Sequence, residues 1–214
     1  TFPTSCSPTV QKRFERGVAL LHSFAYSDAE QAFREIATVD TKCAMAHWGV
    51  AMSFYHQLWE PWITDDDLSR GAKELESARS LKATDRERGY VDALNIYYSG
   101  DTARTRQQRD QDYAQAIGNL AAKYPKDEEA QVFYALALLA TAAPTDRTHR
   151  NQKKAADLLE PVYRAHPQHP GPVHYLIHAY DNTELAQRGT TFAREYSQVA
   201  PDAPHALHMP SHIF

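Results

Sequence analysis

Apolar residues recur three and four places apart along most of the chain, the spacing that builds one buried face on an α-helix. From Thr9 this face reads Phe14, Val18 and Leu21, with His22 on the same side, and predicts a helix to about Tyr26. A second follows Ser27, a candidate N-cap, with Ala29, Ala32, Phe33 and Ile36 turned inward and a stop near Asp40. The third spans roughly Cys43 to His56. Further helices are expected over about Asp66–Leu81, Thr84–Ser99, Thr102–Lys123, Asp127–Ala142, Asn151–Ala165 and Thr183–Val199. Pro170 and Pro204 each open one more, because proline is pre-set for the first helical position. No stretch alternates with period two, so strands are not expected. Residues 1–8, TFPTSCSP, lie outside the periodic pattern and read as an N-terminal strap.

A longer period is laid over the helical one. Moving His166–Asp181 forward by thirty-four places brings Pro167 onto Pro201, Pro170 onto Pro204, His174 onto His208 and His178 onto His212. Steps of this size mark stacked two-helix repeats. Gly17, Ala29 and Phe33, the prolines at 125, 167 and 201, and Leu176 and Tyr180 give the chain a pattern that resembles the tetratricopeptide family. That resemblance implies an all-α fold, a TPR-like right-handed solenoid of antiparallel helix pairs. It would cover residues 9–214 with five and a fraction repeats, the last incomplete. It further implies a concave groove lined by the first helix of each pair, with a protein or peptide as its occupant. Counted on the family's register, the groove takes Phe14, Val18, Leu21 and His22, then Met45, Trp48, Met52, Tyr55 and His56. It next takes Glu129, Val132 and Leu136, then Gly171, His174, His178, Asp181 and Asn182, and finally His205, His208 and His212.

Composition agrees with a helical chain, since only 8 of 214 residues are glycine. A net charge of -4 and a pI near 6.2 leave no basic surface for nucleic acid. The longest apolar run, Val132 to Ala143, is about twelve residues and too short to span a bilayer. Cys6 and Cys43 are the whole thiol inventory. They read either as a disulfide tying the strap to the third helix, with export to a periplasmic or extracellular space, or as two inert thiols. The chain starts at Thr1 rather than methionine and stops at Phe214 inside an expected helix. Removal of an N-terminal piece is therefore expected, as is either a longer protein or a second chain that covers the end by head-to-tail association.

The candidate chemistry lies in the two His-x-x-x-His pairs. Residues four apart stand one above the other on a helix, so each pair presents two imidazoles on one edge. Parallel stacking of the two units would bring His174, His178, His208 and His212 together. His205 is a fifth ligand candidate, and Asp181 a ligand or, like Asn182, an orienting partner for an imidazole. Neutral imidazoles suit a transition metal, zinc or copper first. Neither pair carries the glutamate of a zinc protease, because Tyr175 follows His174 and Met209 follows His208. Pro210 falls inside the second pair, where it can kink the helix. The competing reading makes these histidines hydrogen-bonded packing residues with no metal. His22, His47 and His56 read as satisfied core or rim residues, whereas His149, His166 and His169 fall in loops and are expected to meet solvent. The Trp59–Glu60–Pro61–Trp62 loop reads as an aromatic cap or a lid, and Asp65–Asp67 as a helix start. Nucleophile elbows, phosphate loops, dinucleotide fingerprints and haem-attachment motifs are all missing. The sequence therefore points to a binding scaffold whose groove holds a metal ion. The rivals are a metal-dependent enzyme using the same histidines and a self-assembling structural protein.

Overall fold

A computed structural model describes residues 1–58, 62–100, 103–201 and 203–214. Among them lie eleven α-helices and no strand. They are α1 (Gln11–His22), α2 (Tyr26–Val39), α3 (Ala44–Phe54), α4 (Asp65–Ser80), α5 (Asp85–Tyr98) and α6 (Arg106–Lys123). After these come α7 (Glu128–Ala140), α8 (Arg150–Ala165), α9 (Pro170–Tyr180), α10 (Ala186–Val199) and α11 (Pro204–His208), with a 3-10 turn over Met209–His212. The starts follow local chemistry. Thr64, Thr84 and Thr105 each cap a helix while the residue three places on reaches back to the threonine N–H. Asp65–Asp67 thus sits in a first turn, as its sequence suggests. Ser27 does not cap α2, which begins one residue before it with Ala25 at the N-cap position. Of the Trp59–Trp62 loop, Trp59, Glu60 and Pro61 fall outside the described residues, as does Thr102. Trp62 is partly exposed beneath the Arg106 guanidinium.

Each helix packs on its successor, and α1, α3, α5 and α7 also meet on an inner face. Phe33 of α2 wedges between α1 and α3, and a methyl group on Gly17 or Gly49 would collide with its ring. The inner face is filled rather than open. The Trp48 ring lies 5.6 Å from those of Phe2, Tyr90 and Phe133, and Phe14 lies 5.2 Å from Phe2. Phe2 belongs to the strap, which a Cys6–Cys43 disulfide fastens to the start of α3. Glu87 of α5 adds a second clasp by accepting bonds from the Ser5 N–H and hydroxyl. Phe14, Val18, Met45, Trp48, Met52, Val132 and Leu136, counted as groove-lining on the family register, are consequently buried. The physical reason is closure: α1 packs against α9, so the inner helices meet across the interior instead of facing solvent.

No described helix is long and apolar enough to cross a membrane.

Candidate metal centre

Closure of α1 on α9 builds the site. Helix α1 ends in a reversal in which the Phe24 N–H bonds the Leu21 carbonyl and the Ala25 N–H bonds the Leu20 carbonyl. Phe24 occupies the left-handed position of this turn, at φ 56°, where glycine is usual. The geometry spends the carbonyls of Leu20 and Leu21 and leaves the His22 carbonyl facing outward from the helix end. It is met by His174 of α9, whose Nδ1 lies 2.6 Å away. A carbonyl only accepts, so His174 carries its proton on Nδ1 and presents a bare Nε2.

Two further imidazoles face that bare nitrogen. His178, one turn on in α9, places Nε2 3.1 Å from it, and His205 of α11 places Nε2 3.0 Å from it. The ligand atoms of all three lie within 4.8 Å of one another. With metal–nitrogen bonds of about 2.0–2.1 Å, two nitrogens on one ion sit roughly 3.0–3.4 Å apart, and the two spacings to His174 fall in that range. Aromatic rings enclose the trio. Tyr196 of α10 stacks on His174 at 4.8 Å, and the Phe24 ring lies 4.4 Å from His174 and 5.1 Å from His205. Burial pushes the His174 imidazole well below its ordinary pKa, helped by the proximity of His178 and His205. His178 is pushed down to about 3 by burial and by His212, His205 and His208. His205 is pushed down to about 4 by burial and by His208 and His212. These rings are therefore neutral near pH 7, the form that ligates metals.

His208 and His212 form a second, outer pair with Nε2 atoms 3.1 Å apart. The His212 Nδ1 donates to Asp181 Oδ2 at 2.7 Å, which turns Nε2 toward His208. The His212 and His178 rings are 5.5 Å apart, so the two His-x-x-x-His edges lie side by side on one surface. They do not merge into one four-fold set. Helix α11 yields to a 3-10 turn at Met209, next to Pro210, and this shifts the second pair out of register with the first. His205, the fifth candidate, joins the inner trio instead. Asp181 orients His212, while Asn182 turns back to accept from the Leu185 N–H.

A second histidine cluster lies behind the first. The Glu129 carboxylate receives His22 Nε2 at 2.9 Å and His169 Nε2 at 3.1 Å. The Tyr175 hydroxyl reaches His22 Nδ1 at 3.0 Å, and the Gly171 N–H donates to His169 Nδ1. His169 is thus only 13% exposed and bonded to a buried acid, contrary to the expectation that it meets solvent. It caps α9, a role that holds it over the interior. Among the other loop histidines, His166 is half exposed beside Glu128, and His149 is half-buried. His47 bonds Glu74 and His56 stacks on Tyr26, in line with packing roles. Burial alone would raise the Glu129 carboxyl, but His22 and His169 outweigh it and hold it below the carboxylate range. Burial lowers the His22 imidazole against the pull of Glu129.

Sequence spacing could reveal neither Phe24 nor Tyr196 nor the His22 carbonyl, since each reaches the trio through tertiary contact. The two His-x-x-x-His pairs were the one local signal. No protein-family model matches the chain, and no curated protein matches it. Fold and site together define an all-helical protein carrying a three-imidazole cluster around the buried His174 and an adjoining outer pair.

Proposed function

We propose that this protein is a transition-metal-binding scaffold, a TPR-like right-handed stack of antiparallel helix pairs that holds an ion through His174, His178 and His205. The observation that carries the reading is the contact of His174 Nδ1 with the His22 carbonyl, 2.6 Å away. The one N–H of this ring is spent on the His22 carbonyl, so its remaining lone pair faces two imidazole nitrogens at 3.0 and 3.1 Å. A hydrogen-bond network fits this poorly, because one in-plane lone pair serves one donor well. A metal ion serves all three nitrogens at once. The carbonyl behind His174 is the kind of outer partner that fixes a ligating imidazole.

Three neutral imidazoles suit zinc or copper and leave coordination positions to water or to a ligand from outside the chain. The Cys6–Cys43 bond is compatible with an oxidising compartment, and we place the protein there, exported from the cytoplasm. The test is elemental analysis after supplying metal-free protein with excess Zn(II) or Cu(II) and removing the unbound ion. Wild-type protein should retain at least one equivalent, and a folded His174→Ala variant should lose the tight one. A wild-type protein that retains none overturns the reading.

A further inference from the structure

The five imidazoles are arranged by depth. His208 is exposed, His212, His178 and His205 are half-buried, and His174 is fully buried. Neighbouring ring centroids are 4.9 Å apart for His208–His212, 5.5 Å for His212–His178 and 4.9 Å for His178–His174. A parallel route runs from His208 to His205 at 6.0 Å and from His205 to His174 at 4.8 Å. A cavity of about 570 Å³, walled by Phe24, Tyr26 and Pro204, opens onto His205 and His208 together.

One ring at each station is oriented by an oxygen on Nδ1, His212 by the Asp181 carboxylate and His174 by the His22 carbonyl. Each therefore turns Nε2 toward a neighbouring ring. The number of imidazole nitrogens brought together also rises inward, from two at His208 and His212 to three at His174, His178 and His205.

Building on the metal reading above, we propose that His208 and His212 form an outer station that takes an ion from solvent and passes it to the trio of His174, His178 and His205. The ion is then cargo, acquired and handed on, rather than a fixed structural centre. At the outer station, water leaves the ion as bonds to Nε2 of His208 and His212 form. Bonds to His178 and His205 then replace those two, and the bond to His174 completes the transfer by displacing one of the waters still on the ion. The ligands exchange on the ion, the ion keeps its charge, and no electron moves.

The experiment titrates the full, metal-free chain with Zn(II) against a chromophoric chelator and follows filling by stopped flow. Wild-type protein should take up two equivalents, one tight and one weaker. His208→Ala/His212→Ala should drop to one tight equivalent that fills more slowly. Asp181→Asn leaves every ring in place and should weaken only the outer equivalent, by about 10–100-fold. It carries the test if the double variant does not fold. If wild-type protein binds one equivalent, and the outer variants match it in count and filling rate, the relay is overturned while the metal reading stands. If wild-type protein binds none, the metal reading itself has failed and the relay with it.

Discussion

His22 stands between two histidine clusters that use the same side-chain chemistry to opposite ends. Its ring belongs to the set with Glu129 and His169, and its carbonyl anchors the set of His174, His178 and His205. In the first set every polar atom is matched. Glu129 accepts from two imidazoles, while the other nitrogen of each imidazole accepts from Tyr175 or from the Gly171 N–H. For His169 this placement puts the proton on Nε2, so the nitrogen facing Glu129 has no lone pair to give an ion. The second set lacks such an acid, and its bare His174 nitrogen faces two others. The ligand atoms of both sets lie close enough to hold an ion. What separates the two sets is proton placement, and that is set by what stands behind each ring.

Removing the anchor ring should break the open cluster most severely. Saturating metal at about 100 times Kd stabilises a protein by roughly 2.7 kcal/mol. For a chain of this size that corresponds to a Tm increase of about 5–10 °C. Differential scanning calorimetry should show this increase in wild-type protein and its loss in His174→Ala. The closed cluster should respond in the reverse way. Glu129→Ala leaves two buried donors unpaired and should cost about 3 kcal/mol in urea unfolding, yet the variant should still bind zinc. Loss of zinc together with retained stability would invert the roles assigned to the two clusters.

Acid should reveal the closed cluster in metal-free protein. Burial holds His22 below its ordinary value of 6.5 in the fold, so the unfolded chain binds the proton first. Its contribution is full above about pH 6.5 and drains as pH falls through the lowered value. Glu129 is likewise held below 4.5, and its share is present above that pH and lost below it. Chemical-denaturation midpoints measured from pH 7 to pH 3 should fall, and Glu129→Gln should flatten the part below pH 4.5. An unchanged slope in that variant would remove Glu129 from the account.

The smallest expected effect concerns the turn that links the clusters. Truncating Phe24 costs packing over the trio in either variant, but glycine relieves the left-handed backbone and alanine does not. Phe24→Gly should therefore be more stable than Phe24→Ala by about 1 kcal/mol, the reverse of the order in a helix. Equal stabilities, or alanine ahead, would contradict the strain assigned to this residue.

Much of this molecule was legible in its sequence. Helical spacing located the helices to within a few residues, and the thirty-four-place shift singled out His174, His178, His208 and His212 with His205 beside them. The closure was not legible. His22 meets Glu129 across 107 positions and His174 across 152, and periodicity carries no information at that range. The same blindness turned an expected groove into a packed interior, because nothing local announces that Phe2 folds in against Trp48 and Tyr90. Counting on a repeat register can tell which way a side chain points along its own helix. It cannot tell whether another helix is waiting there.

The central claim is that His174, with its proton held by the His22 carbonyl, gathers two more imidazoles onto one ion. X-ray absorption at the zinc edge of protein loaded with one equivalent tests it most directly. The account predicts imidazole nitrogens at about 2.0–2.1 Å, with a weakened imidazole signal in His174→Ala. A shell of oxygen alone, or a spectrum unchanged by that substitution, would contradict it.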